Sequence, residues 1–214
     1  MLAHTDEILR SSERHAVGTT VTPWRAIGVC LVFSGALYGA VLGSWSTRWE
    51  QMLFSAIKVP ILLTFTGVVC LPSFYVGNTV LGLRDDFVRA CRGLLAAQAT
   101  LAIALASLSP VTAFLYASKV SYAGATLTNG VMFLGALLAS QVTLARHYRP
   151  LIARNPKHKV TLVAWMLLFQ FVAIQLAWTL RPFIGSPGMV TEFLRPESFT
   201  NAYVDAVEAM LMEF

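Results

Sequence analysis

The neighbouring carboxylates Asp85 and Asp86, and the imidazoles His147 and His158 in one arginine-rich stretch, are the side chains best suited to acid–base or metal chemistry. Neither group has the company that chemistry needs. A catalytic zinc takes three protein ligands, and nothing at ligand spacing completes a set with the two histidines. Asp85 and Asp86 directly precede an apolar run, where carboxylates cap helix amides and complement the helix dipole. Cys30, Cys70 and Cys91 lie in or beside apolar runs without metal-ligand or disulfide spacing and read as small packing residues. No phosphate-binding glycine loop, His-Glu-x-x-His or Gly-x-Ser-x-Gly is present. The residues therefore indicate no catalytic centre, cofactor or metal.

A second set of polar residues lies inside apolar runs: Asn78, Gln98, Asn129, Gln170 and Gln175. Neutral amides there act as interhelical hydrogen bonds worth about 1 kcal/mol or less each, or they line a water-filled path, for which Gln98, Asn129 and Gln170 are the candidates. Asp and Glu are absent from these runs. Ion-coupled carriers place ionisable groups at mid-membrane, so that class is disfavoured. A path lined by amides and hydroxyls with arginines at its mouths leans toward anions.

The elements that must hold these residues follow from hydropathy. Of 214 residues, 56% are hydrophobic and 13% charged, against about a quarter charged in soluble domains. Crossing the hydrocarbon core takes about 20 mainly apolar residues. Five runs qualify: Ala26 to Trp45, Val59 to Leu83, Gly93 to Ala117, Gly124 to Ala145 and Val160 to Leu180. Five such helices could not make a water-soluble exterior. The expected fold is an all-α polytopic bundle of about five transmembrane helices with a C-terminal amphipathic helix. It divides into a cytoplasmic segment (1–24), the helical domain (25–181) and an extracytoplasmic turn and helix (182–214). About 24 mostly polar residues precede the first run, so that run reads as a retained span and not as a signal peptide.

The net charge of +5 is not a nucleic-acid surface, because the basic residues sit in short clusters between apolar runs. Of the 16 Lys and Arg residues, eleven fall in connections on the side of the N-terminus and five, Arg48, Lys58, Lys119, Arg181 and Arg195, on the other. The positive-inside rule then places the N-terminus in the cytoplasm and the C-terminus outside, at a bacterial inner membrane. Trp24 and Trp45 would lie about 32 Å apart on a helix, near the spacing of the two interfaces. Trp178 and Arg181 mark the outer boundary of the fifth run.

Gly35, Gly39 and Gly43 recur at four-residue spacing in the first run, with Gly28 seven further back. Such a groove admits another helix closely, either a span of the same chain or a second copy. Pro60 and Pro72 in the second run and Pro110 in the third each remove a backbone hydrogen bond and kink the helix, freeing a carbonyl for Thr66, Ser73 or water. After the prolines and glycines of residues 182–188, Phe199, Tyr203, Val207, Met210 and Phe214 share one helical face, with Asn201, Asp205 and Glu208 opposite. That acidic face makes anionic lipid a poor target and favours docking on the bundle or on a partner.

The stretch Lys58-Val59-Pro60, the stretch Leu71-Pro72-Ser73-Phe74-Tyr75 with Asn78 and Gly82, and Trp178-Thr179-Leu180-Arg181-Pro182-Phe183-Ile184-Gly185-Ser186-Pro187 resemble a group of bacterial polytopic membrane proteins of unassigned function, over about residues 58 to 205. The hydropathy profile is also similar in shape to the five-span Yip family. These resemblances imply a membrane bundle and transfer no active site. The functional expectation is a non-enzymatic membrane protein whose partners are the lipid bilayer and further copies of itself, forming a pore or ion channel with the N-terminal segment, Thr5 as its cap, near the cytoplasmic mouth. The alternative is an accessory or scaffold subunit of a larger membrane complex. An odd number of crossings predicts that the two chain ends are modified by impermeant reagents from opposite faces of the membrane; modification from one face removes a crossing.

Overall fold

The computed structural model describes residues 24–185, 188–194, 200–205 and 211. Thr5 and the N-terminal segment lie outside the described residues, as do Phe199, Val207, Glu208, Met210 and Phe214. Five helices carry the fold: α1 (Trp24–Gly43), α2 (Trp49–Val80), α3 (Phe87–Ala117), α4 (Tyr122–Arg154) and α5 (His158–Leu180). Short 3-10 turns, Ser44–Ser46 and Arg84–Asp86, follow α1 and precede α3. No strand occurs among the described residues, and a further helical segment covers residues 202–205. All five helices are long and apolar enough to cross a membrane, so the chain is an all-α, multi-pass integral membrane protein.

The outward faces explain why lipid is the solvent. On α4, Leu127, Val131, Leu134, Leu138 and Val142 follow one another at three- and four-residue steps, and each is at least half exposed. On α1, Val29, Phe33 and Leu37 form a second such row, each close to half exposed or more. A continuous apolar exterior of this kind is incompatible with water and indifferent in hydrocarbon. Charged residues gather at what we term the basic end, where the 81–86 and 155–157 connections lie; the 44–48 and 118–121 connections and the segment after Leu180 form the far end.

The helices do not pack in chain order. α1 wedges between α2 and α3, α3 packs on α4, α2 packs on α5, and α4 meets α5 sparingly. One core joins Tyr38 and Leu42 of α1 to Val59 and Leu63 of α2 and to Leu101 and Leu105 of α3. A second, toward the basic end, joins Phe74, Leu94, Tyr148, Trp165 and Phe169. α4 and α5 share the second core, and over the far half they part.

The wedge depends on glycine. A Cβ on Gly39 would overlap the Ser55 carbonyl oxygen, one on Gly43 would press on the Gln51 carbonyl, and Gly35 lies against Pro60. Three of the four glycines thus seat α1 on the α2 backbone of the same chain, while Gly28 has nothing within 4 Å. Gly35, Gly39 and Gly43 are therefore covered from within by α2.

Three helix boundaries differ from the sequence expectation. α2 begins at Trp49 and not near Val59, so Lys58 is an internal helix residue and not part of a connection. α3 begins at Phe87 rather than Gly93. α4 continues past Ala145, through Pro150, to Arg154. Hydropathy measures the thickness of hydrocarbon, whereas a helix continues into the interface as long as its backbone hydrogen bonds hold. α2 likewise runs unbroken through Pro60 and Pro72, and α3 through Pro110. Thr66 does not take up a proline-freed carbonyl; its hydroxyl donates to the Leu62 carbonyl oxygen.

Gly39→Leu forces α1 off the α2 backbone and is expected to lower stability by about 3 kcal/mol, the upper range for overpacking. Gly28→Ala, with open space around it, is expected to be neutral or stabilising by about 0.5–1 kcal/mol. Thermal unfolding in detergent checks both, and equal melting temperatures for the two variants would remove the wedge.

Candidate functional site

The polar side chains inside the bundle engage protein groups at separate seams. Asn129 of α4, 4% exposed, donates through Nδ2 to the Ala125 carbonyl oxygen (2.7 Å) and to the Tyr116 hydroxyl (2.8 Å). Its Oδ1 accepts from the Tyr38 hydroxyl at 2.8 Å. Tyr116 in turn donates to the Leu42 carbonyl oxygen, so one carboxamide ties α1, α3 and α4. Gln98 of α3 is seated where Gly67 of α2 has no side chain. Asn78 donates to Phe74 O at 2.8 Å within α2, beside a small recess against α5. Gln170 lines the gap between α4 and α5. Gln175 holds the C-terminal helix, donating to Thr200 O and accepting from the Ala202 amide. Of the five amides expected to share a polar lining, Asn129 and Gln170 border one crevice, while Asn78, Gln98 and Gln175 lie at other seams. A side chain's direction depends on helix rotation, which span-level spacing does not resolve.

The largest polar construction is at the far end and was not anticipated. Arg48, Gln51, Ser55 and Lys58 stand at three- and four-residue steps on one face of α2. Gln51, Ser55 and Lys58 are at most 1% exposed. Gln51 Nε2 donates to the carbonyl oxygens of Pro182 (3.1 Å) and Phe183 (2.9 Å), and Ser55 Oγ donates to Phe183 O. Lys58 Nζ donates to Pro182 O at 2.8 Å and lies 6.0 Å from the Phe183 ring centroid and 5.0 Å from that of Phe193, within cation–π range. Arg48 Nη1 donates to the Met189 carbonyl oxygen at 2.5 Å. Gly185, at φ +78°, turns the segment where a side chain would press on Gln51. One face of α2 therefore clamps the chain that follows α5. The polar stripe of residues 48–58 was a legible helical signal, hidden because the stretch was taken for a connection.

Past the clamp, Trp178 Nε1 donates to the Thr200 hydroxyl at 3.0 Å, and the Tyr203 ring stacks on Phe171 at 4.6 Å while its hydroxyl donates to Phe171 O. Arg181 lies flat on the Trp178 indole, 3.5 Å from the ring centroid. The segment so fixed still exposes Met189, Val190, Phe193, Leu194 and Val204.

At the basic end, Asp86 is bonded to Arg89 at 2.6 Å, approaches Arg154 at 4.0 Å, and lies 3.4 Å from Nε2 of the fully buried His158. It makes no side-chain cap bond to α3; the guanidiniums of Arg89 and Arg154 are the stronger partners. In this connection, partial burial pushes the Asp86 carboxyl up, but the hydrogen bonds from Arg89 and His158 outweigh it and hold the group below its ordinary range. His147 and His158 belong to helices α4 and α5 and not to a loop. Among the described residues no three His, Cys, Asp or Glu side chains gather as a metal site.

No protein-family model matches this chain, and no curated protein or solved structure matches it either.

Lys58→Met keeps the stem and removes a charged donor, while Gln51 still donates to the Pro182 carbonyl; a hydrogen bond to a charged group is worth about 1.5–3 kcal/mol. Amide exchange over residues 188–194 is expected to accelerate while the protection of α1 and α3 is retained. Unchanged exchange there would mean that Lys58 does not hold the segment.

Proposed function

We propose that this protein is a non-enzymatic accessory or scaffold subunit that docks into a larger membrane complex, set in a bacterial inner membrane with its N-terminus in the cytoplasm. The observation that carries this reading is the far-end clamp. Three buried polar side chains of α2 fix a short non-helical segment, and what that segment then presents is apolar: Val190 is 83% exposed and Met189 56%. Exposed large apolar residues on an ordered segment are the usual mark of a contact surface, and Met and Phe are enriched at protein interfaces. The orientation follows the eleven-to-five distribution of basic residues. The absence of catalytic motifs from the sequence supports a binding role over a chemical one.

A homo-oligomeric, anion-leaning pore is the second reading, favoured by Gln170 standing half-buried in the gap between α4 and α5. It is the weaker one, because Asn129 is fully engaged within the bundle and α2 covers the glycine groove.

The discriminating experiment is the mass of the chain purified alone in detergent, together with chloride flux in liposomes. The accessory reading expects a monomer without flux, and expects Val190→Asp to abolish co-purification of a specific partner while leaving the melting temperature unchanged. A defined homo-oligomer that passes chloride would replace this reading with the pore.

A further inference from the structure

Over the far half of the bundle, α4 and α5 enclose a crevice of about 420 Å³, closed at the far end by Phe183 and Ile184. Its walls run from Asn129 to Leu137 on α4 and from Phe169 to Ala177 on α5, about 12 Å along each helix axis at 1.5 Å per residue. Leu134 and Ile174 on its rim are 56% and 50% exposed, so it opens sideways, at a depth where the surroundings are hydrocarbon.

Three considerations select the occupant. Water needs two to four polar partners; of the polar side chains on the wall, Asn129 already has bonds on both its nitrogen and its oxygen and Thr66 donates to Leu62 O, which leaves the single carboxamide of Gln170. A helix about 10 Å across and 12 Å long displaces roughly 900 Å³, twice the space available. What remains is a slender apolar chain, and the volume lies within the range of about 300–1,000 Å³ for small-molecule sites. The third consideration is charge. Arg181 stands one turn beyond Ala177 of the crevice wall and two residues before Phe183, which closes it; its guanidinium lies over the Trp178 ring, and its Nε has no acceptor among the described residues.

We propose that the crevice between α4 and α5 holds one acyl chain of an anionic phospholipid from the leaflet at the far end, with the lipid phosphate at Arg181. Moving an acyl chain from bilayer to crevice gains no hydrophobic free energy, so retention rests on van der Waals fit and on the arginine contact. The site does not depend on the far-end segment binding a partner protein.

The test reconstitutes the whole chain in phosphatidylcholine vesicles containing phosphatidylglycerol with a photoactivatable diazirine at mid-chain, and maps the labelled peptides. Label is expected to concentrate on residues 129–137 and 169–177, above lipid-facing positions such as Val29 and Phe114. Gly130→Leu and Ala173→Phe, each filling the crevice, are expected to reduce that label roughly tenfold, the loss that follows from removing about ten van der Waals atom contacts, with labelling at Val29 unchanged as the control for folding. Arg181→Gln is expected to reduce it roughly fivefold. Equal labelling of Phe114 and the crevice, or insensitivity to both filling variants, would mean ordinary boundary lipid and overturn the proposal. So would a cross-link between copies through residues 130 and 173 without lipid label. If a diazirine phosphatidylcholine labels the crevice as strongly as phosphatidylglycerol, the assignment of the phosphate to Arg181 falls.

Discussion

Hydrocarbon offers no hydrogen-bonding partner, so a polar group this chain carries below the membrane surface is stabilised by finding one in the chain itself. Helix formation disposes of the backbone. The side chains have to be satisfied one at a time, and the places where they are satisfied decide how the five helices stand. Asn129 gathers two tyrosines from α1 and α3, Gln98 is received by the missing side chain of Gly67, and Gln175 takes in the backbone of the C-terminal segment. Apolar packing alone would not choose among these arrangements, because lipid tails are as apolar as leucine.

Close approach works alongside this constraint. α1 reaches the backbone of α2 through Gly39 and Gly43, and that contact lets it stand between α2 and α3, which are neighbours in sequence but meet only sparingly. With α1 wedged there, the Ser55 face of α2 turns toward the far-end segment, and the seam between α4 and α5 is closed on the basic half only. The clamp and the open crevice lie at the same end of the bundle. They also differ in character: one fixes an ordered apolar surface outside the helices, and the other leaves a gap that the bilayer must fill.

The number and approximate place of the helices were legible in the sequence, since five apolar runs without carboxylates can be satisfied by only one kind of solvent. The small-residue spacing of α1 was legible as close packing. Its partner was not, because a groove of glycines accepts a helix of the same chain or of another equally well. The amides were identifiable as polar residues in apolar surroundings, but not which of them stand together: Asn129 and Gln170 border one crevice and the other three lie elsewhere. Asn78, Gln98 and Asn129 lie on three different helices whose rotation about their axes leaves no mark on span-level hydropathy.

Lys58 separates the two kinds of information most clearly. A lysine beside an apolar run reads as the edge of a span, because its amine needs water. Here the amine has instead the Pro182 carbonyl and two aromatic rings, all delivered by a segment more than a hundred residues downstream. Composition and period determined the solvent, the secondary structure and the sidedness of charge, for these depend on residues summed over a span. Only the tertiary structure decided which polar groups are partners, where the glycines press and where a gap remains, because each of those depends on residues far apart in the chain arriving within bonding distance.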